Sequence, residues 1–481
     1  MNDSFYLTTT LPYVNGEPHI GHALEFIQAD VIARYKRNKG FTTYFNTGTD
    51  EHGLKMYQKA GEENLSPQEY VDKYSQRFKD FCKSFSISYD RFIRTTDEDH
   101  IKAAQTFWNK SLENGDIYKK AYTGLYCVGC EEFKTEKDLV DGKCPDHNKE
   151  PEEHSEENYF FKFSRYQEPL LDLYKKQSDF VKPASKLQEM ISFVGGGLQD
   201  FSISRRRENL PWGISVPNDP DQVMYVWFDA LVNYVTTIGY GTNEKEFEKW
   251  WPVVQLCGPD NNRFQSAMWQ AMLMSAGIKP SKHILIHGMI LAEDGTKMSK
   301  TIGNVVSPFE LLETYGAEAT RYYLISGIPT FGDSSFSHDQ LEMKYKADLQ
   351  NNFGNLLNRV ITMINKKEVD TSESLISESF KSEVLNLKAR YTEHMDSFDL
   401  FEAMKNAQKL GSYGNVYITE QEPWAKDKTE EEITETLSGL EYLLNELIEL
   451  YSPVLPDACE KAKSALLKRE NIILFPELEI A

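Results

Sequence analysis

The chain has 481 residues, 40% of them hydrophobic and 26% charged, and a formal charge of −21. That length exceeds what one core serves, and a prior of about 100 to 200 residues per domain gives about three units. No run approaches the ~20 apolar residues of a membrane span, MNDSFYLTTT lacks the basic-then-apolar layout of a signal peptide, and the acidic balance excludes indiscriminate nucleic-acid binding, which draws on Lys and Arg. The expectation is a soluble, cytoplasmic protein. Any nucleic acid would meet local basic faces such as Arg205 to Arg207, Lys297 with Lys300, or Arg359 with Lys366 and Lys367. Six cysteines are too few and too unevenly placed for a disulfide framework.

Phe5 to Thr10 is β-branched and aromatic and reads as a strand, which Asn15, Gly16 and Pro18 break. Leu24, Ile27, Val31 and Tyr35 then recur at helical spacing, with Lys36, Arg37 and Lys39 crowding the last turn before Gly40. Strand, turn and helix in that order gather backbone N–H groups at the positive end of a helix, which suits an anion. His19 and His22 bracket Gly21 at that point, and the glycine has no side chain to obstruct a nucleotide. On this stretch alone the histidines are also consistent with surface groups, a chance metal pair or satisfied core residues.

Phe41 to Asn46 reads as the second strand, with GTDEHG, 48 to 53, at its carboxyl end, where open α/β sheets bind ligands. Asp50 there is either a partner for a substrate ammonium or a turn residue capping the next helix. Residues 54 to 115 read mostly as helices, with Tyr70, Tyr74, Phe78 and Phe81 as core positions.

Helical patterning gives way at Tyr118. Two residues separate Cys127 from Cys130, thirteen separate Cys130 from Cys144, and two separate Cys144 from His147. Three thiolates and an imidazole at zinc-knuckle spacing close a tetrahedron around one structural Zn2+ per chain. His154 is the nearest rival ligand; His147 is preferred because CPDH repeats the spacing of the first pair. Phe160 to Phe163 and Pro183 to Phe193 return the chain, which makes an insertion of about 110 residues.

QDFSISRRREN, 199 to 209, leads back toward the nucleotide fold. YVWFDALVNYV, 225 to 235, is a near-continuous apolar run, expected to be a buried parallel strand entering a helix. By composition alone Trp227 and Tyr234 are core. Residues 253 to 277 repeat strand, glycine turn and helix, and HILIHGMIL, 283 to 291, is the next strand. It delivers LAEDGTKMSKTIGN, 291 to 304, whose Lys297 and Lys300 form either a solvated basic loop or a site for a polyphosphate whose charge grows as pyrophosphate leaves. From about Ser307 the strands stop and a helical bundle with acidic runs such as Glu430 to Glu432 follows.

PHIGH, 18 to 22, and KMSKT, 297 to 301, together resemble the HIGH and KMSKS signatures of class I aminoacyl-tRNA synthetases. TTTLPYVNGEPHIGH at 8 to 22, FNTGTDEHG at 45 to 53, YCVGC at 126 to 130, YVWFDALVNY at 225 to 234 and QEPW at 421 to 424 sharpen the resemblance to the methionyl-tRNA synthetase family, in that family's order. Three departures stand out: Thr301 in place of Ser, Pro259 within a Gly-Lys-Asp, and Gln265 where a His is common.

The resemblance implies an α/β fold: a nucleotide-binding parallel sheet of Rossmann type, split by a zinc-bearing insertion and followed by an all-α bundle. The expected domains are a first catalytic half (1–115), the insertion (116–226), a second catalytic half (227–290), the lysine loop with a linking segment (291–348) and a helical anticodon-binding domain (349–481). The expected activity is formation of methionyl-adenylate from L-methionine and ATP with Mg2+, then transfer to the 3′ end of tRNA(Met). His19, Gly21, His22, Lys297 and Lys300 would serve ATP and the reaction. Leu11, Tyr13, Asp50, Trp227, Ala230, Tyr234 and Gln265 would bind methionine. Arg205 would lie near the active site, and Asn355, Arg359 and Trp424 would read the anticodon by stacking and hydrogen bonding to splayed bases. No RNA-binding appendage follows Ala481, so a monomer is expected. The alternatives are a small-molecule nucleotidyltransferase of the HxGH type and a catalytically silent tRNA-binding relative.

Overall fold

A computed structural model describes residues 4–130, 132–134, 138–298 and 303–478. They form two compact units. The first comprises the described residues of Met1–Pro18, Phe41–Phe81 and Tyr89–Ile286; the second those of His19–Gly40, Cys82–Ser88 and His287–Ala481.

A six-stranded parallel sheet organises the first unit, in the order Arg91–Arg94, Thr42–Thr49, Ser4–Thr8, Val254–Cys257, His283–Ile286 and Val181–Lys182. The middle strand is buried on both faces, as Phe5, Tyr6, Leu7 and Thr8 show, and this explains its unbroken run of β-branched and aromatic residues. Successive strands advance to one side of Ser4–Thr8 early in the chain and to the other side late. The order therefore reverses between Ser4–Thr8 and Val254–Cys257, and a ligand crevice belongs at the carboxyl ends of those two strands. Gly48 lets the edge strand close: a Cβ there would lie 1.8 Å from Ile93 O.

The stretch expected as an insertion contains an antiparallel sheet, Glu132–Lys134, Ile117–Cys127, Glu152–Phe161 and Phe201–Ser202, and a smaller one of Ser215–Val216, Asp219–Met224 and Ser204–Arg206. It also returns Val181–Lys182 to the edge of the parallel sheet.

One reading of the sequence needs correction. The run 225 to 235 does not begin as a parallel strand: helices Val226–Leu231 and Asn233–Thr236 occupy it, so the expected helix starts at once. Phe228, Leu231, Val232 and Val235 are buried in a cluster with Phe107, Trp108 and Trp269, and the polar Asp229 and Asn233 are buried as well, so no exposed face marks the helical period. Residues 54 to 115 are mostly helix as expected, and Arg91–Arg94 adds the edge strand between helices Pro67–Ser84 and Glu98–Glu113. Four residues are too few to show alternation.

In the second unit, helix α1, Ile20–Asn38, belongs with the helices from Pro308–Tyr315 to Pro456–Lys468. Ile290–Leu291 and Ser334–Ser335 form a short parallel pair, so one small strand lies beyond Ser307. Asp30 of α1 and Arg321 are both fully buried. The guanidinium donates to Asp30 Oδ2 at 2.7 Å and to the carbonyls of Phe85, Pro453 and Val454, while Asp30 also accepts from Arg34 and from the backbone N–H and hydroxyl of Ser88. No helix of the described residues is long and apolar enough to cross a membrane.

Candidate active site and metal centre

At the carboxyl ends of the sheet, two loops of the first unit are zipped together. Asp50 N donates to Pro12 O at 3.0 Å and Val14 N to Asp50 O at 3.3 Å, so Tyr13 and Asp50 stand side by side in parallel register. Leu11 is half-buried on the same loop. The Tyr13 ring meets Trp227 edge-on at 6.2 Å, and Trp227 stacks on Phe264 at 3.9 Å with the rings nearly parallel. Ala230 and Tyr234 follow Trp227 on the helical segment and are buried.

The floor of this group is a closed polar network. Gln265 is 1% exposed and lies in a short π-helical turn, Phe264–Met268. Its amide nitrogen donates to Tyr234 OH at 2.6 Å, its side-chain oxygen accepts from Gln255 at 2.8 Å, and its backbone oxygen accepts from Gln270 at 2.8 Å. Ser281 completes the ring by donating to Gln255 Oε1 and accepting from Gln270. Pro259, another departure, opens the 3-10 turn Pro259–Asn261, where its fixed φ suits the first helical position.

Sequence reasoning missed four residues around these. Phe264 is the stacking partner of Trp227, and only its place before Gln265 could have signalled it. Asp229, fully buried beside Ala230, accepts from His52 Nδ1 at 3.2 Å, and His100 Nε2 lies 3.9 Å away. Burial pushes the Asp229 carboxyl up, but the charges and hydrogen bonds of the two imidazoles outweigh it and hold it below the usual carboxylate value.

The signature residues of the second unit are built differently. His19 is the N-cap of α1: its Nδ1 accepts from Gly21 N at 3.1 Å, and its own N–H donates to His22 Nδ1 at 3.2 Å. The two rings stack at 3.6 Å. A Cβ at Gly21 would press to 3.0 Å on His19 Cε1, which is why this turn takes glycine. Lys297 is exposed and follows a tight turn in which Asp294 accepts from the N–H and hydroxyl of Thr296. Lys300 and Thr301 lie outside the described residues.

Arg205 is buried with its guanidinium between Tyr126 and Tyr225, at 5.2 and 4.8 Å from the ring centres, and donates to Ser202 Oγ and Ser204 O. It lines a cavity of about 190 Å³ with Leu54, Gln58, Tyr126, Val128 and Asn209.

The four knuckle residues converge. One ligand atom from each of Cys127, Cys130, Cys144 and His147 lies within 4.8 Å of the others. Cys130 Sγ is 3.4 Å from Cys144 Sγ and from His147 Nδ1, and Cys127 and Cys144 are 3.9 and 3.8 Å from that nitrogen. Thiolates on a tetrahedral ion at 2.3 Å stand about 3.8 Å apart, so the set fits one cation. A Cβ at Gly129 would come within 2.4 Å of the His147 ring, so the turn needs glycine to admit its fourth ligand. His154, the rival, stands within strand Glu152–Phe161 opposite Gly124.

In the helical region, Arg359 and Trp424 come together with the guanidinium carbon 6.0 Å from the indole centre. Trp424 is 43% exposed. Asn355 is exposed one turn before Arg359 on helix Asn355–Lys367.

Comparison with known proteins agrees with this architecture. A family model for class I tRNA synthetases (M) matches residues 5–152 and 137–361, and one for the anticodon-binding domain of methionyl tRNA ligase matches 369–477. A methionine–tRNA ligase of Caldanaerobacter subterraneus is 42% identical over 489 residues, covering 100% of this chain and 76% of that one. A methionine–tRNA ligase of Thermotoga maritima is 40% identical, covering 95% and 74%. Mycobacterium tuberculosis methionyl-tRNA synthetase in complex with methionyl-adenylate superposes with a TM-score of 0.90 at 36% identity, over 96% of this chain and 93% of that one. Matched along its whole course by these models and relatives, the chain belongs to the methionyl-tRNA synthetase family of class I aminoacyl-tRNA synthetases.

Proposed function

We propose that the chain joins methionine to tRNA(Met) in two steps. A carboxylate oxygen of methionine attacks the α-phosphorus of ATP, the bond to the bridging oxygen of the β-phosphate breaks, and pyrophosphate leaves. A hydroxyl at the tRNA 3′ end then attacks the methionyl carbonyl carbon of the adenylate, the bond from that carbon to the phosphate oxygen breaks, and AMP leaves. The protein's part is positioning and charge stabilisation. Mg2+ that accompanies ATP supplies further neutralisation of the phosphates.

The observation that carries the reading is the floor of the pocket group. Tyr13, Trp227, Ala230 and Tyr234 present an apolar wall, and the Gln265 network fixes the Tyr234 hydroxyl, which suits a flexible apolar side chain with a weakly accepting sulfur. Leu11 extends the wall, Asp50 takes the α-ammonium, and Arg205 supports the active site. His19, Gly21 and His22 hold the phosphates of the transition state, and Lys297 and Lys300 neutralise the departing pyrophosphate. Asn355, Arg359 and Trp424 read the anticodon. Cys127, Cys130, Cys144 and His147 hold one structural Zn2+ per chain. The protein works in the cytoplasm as a monomer, with catalytic halves at 1–115 and 227–290, the insertion at 116–226, the lysine loop and link at 291–348, and the anticodon domain at 349–481.

Methionine-dependent ATP–pyrophosphate exchange, followed by tRNA charging, tests the reading. Exchange with charging supports it; exchange without charging points to a nucleotidyltransferase, and tRNA binding without exchange to a silent relative. Lys300→Ala should slow adenylate formation by on the order of 10²- to 10³-fold with little change in methionine affinity.

A further inference from the structure

Asn415 lies on helix Leu400–Gln421, between Arg359 and the segment before helix Asn355–Lys367. Its amide nitrogen donates to Asn352 O at 2.9 Å, Asn352 Oδ1 at 3.0 Å and Gly411 O at 3.1 Å. All three partners are acceptors, so the NH2 end must face them and the carbonyl end must face away. There Oδ1 accepts from Arg359 Nη1 at 3.4 Å. The orientation of the amide is thus decided by the chemistry of its partners.

Those partners are themselves held. Asn352 donates its own amide hydrogens to Gln408 O at 3.0 Å and Ser412 Oγ at 3.3 Å. Gly411 leaves room for it, because a Cβ there would come to 3.1 Å from both amide atoms of Asn352. Asn352 belongs to a π-helical segment, Tyr345–Gly354, that runs directly into helix Asn355–Lys367, and such segments re-aim side chains within otherwise helical stretches.

We propose that Asn415 is the positioning residue that sets the Arg359 guanidinium against Trp424 in the orientation from which it meets the anticodon. This rests on the assignment of Arg359 and Trp424 to anticodon reading. The guanidinium has Asn415 Oδ1 as an acceptor and the exposed indole beside it. Because the amide is neutral, it orients the cation without cancelling the charge that an RNA base or phosphate would use. Asn415 touches no substrate and acts through Arg359.

A double-mutant cycle on the full chain tests this, with tRNA(Met) transcript as the probe. Asn415→Ala should raise the KM for tRNA about tenfold, the scale of one charge-assisted hydrogen bond, while kcat and ATP–pyrophosphate exchange stay within twofold. Asn352→Ala, which frees the Asn415 amide to turn, should raise it about threefold. In an Arg359→Ala background neither change should add a further effect. A penalty that survives in that background, or an unchanged KM in Asn415→Ala, overturns the proposal. An Arg359→Ala enzyme with wild-type KM overturns the anticodon assignment and the proposal with it. If Asn415→Ala does not fold, Asn415→Leu, close in volume and without the carbonyl, carries the same expectations.

Discussion

Beneath the proposed methionine pocket, Gln265, Tyr234, Gln255, Gln270 and Ser281 satisfy one another without a formal charge, whereas in the second unit Asp30 and Arg321 form a wholly buried ion pair. Burying two ions costs several kcal/mol each and is offset only by good geometry and further hydrogen bonds, which the carbonyls of Phe85, Pro453 and Val454 and the N–H of Ser88 provide. The amide floor avoids that cost. Under the proposed function, a network beneath a ligand that comes and goes cannot rely on that ligand to satisfy a charge. One inside a permanently packed helix junction can hold a charge because nothing there leaves.

The largest effect expected from this contrast is in the ion pair. Arg321→Met removes the buried counter-ion of Asp30 and leaves only Arg34 and Ser88 to hold the carboxylate, so it should lose up to about 3 to 5 kcal/mol of stability in urea, whereas Asp30→Asn with Arg321→Met should recover most of it. Equal losses in the single and double variants would mean that packing, and not charge, sets the cost.

Gln265→Leu in the neutral floor leaves the Tyr234 hydroxyl and the Gln255 amide short of a partner and should cost about 1 to 3 kcal/mol. It should also alter kcat/KM for methionine relative to leucine. Unchanged values for both amino acids would remove Gln265 from the pocket.

Acid should separate the two networks by a smaller margin. Burial raises the Asp30 carboxyl, but the Arg321 and Arg34 guanidiniums and the Ser88 bonds outweigh it and hold the group below its usual value of 3.8. The stability it contributes is full above that value and is lost as pH falls through the folded-state value, at about 1.4 kcal/mol per unit of depression. The Asp30→Asn, Arg321→Met protein should therefore show a flatter stability curve below about pH 4, while the Gln265→Leu protein keeps the wild-type slope.

The smallest effect is in ligand binding. The amide floor does not titrate, so methionine affinity should be flat between about pH 6 and 8, and Gln265→His should make it vary by a few-fold over that range, read by calorimetry. A wild-type affinity that varies as much as the variant's would deny the floor its neutral role.

The contrast also explains what the sequence could reveal. The knuckle was legible because its four ligands fall within a span of 21 positions at a fixed spacing, and the strand, turn and helix from Phe5 to Gly40 because breakers and caps are local signals. The Asp30–Arg321 pair was not, because 291 positions separate its members and a lone Arg in an apolar helix carries no sign of its partner. The run 225 to 235 reads as a strand entering a helix, and its opening is helical instead, because burial of the whole run hides the period. Asp229 escaped notice for a related reason, as a single polar residue in an apolar run, and Phe264 because a lone aromatic in the polar stretch NNRFQS, 261 to 266, carries no sign of the ring it stacks on.

The cap of α1 also decides which nitrogen of each histidine carries hydrogen. Nδ1 of His19 accepts from Gly21 N and Nδ1 of His22 accepts from His19 N, so each ring, when neutral, must hold its hydrogen on Nε2. The backbone thereby selects one tautomer twice over, and places a donor N–H at Nε2 of each neutral ring. Nitrogen-15 resonances of the two imidazoles should report that same tautomer in both, and a substitution that lifts the Gly21 N–H away from His19 should release the choice in His19 alone.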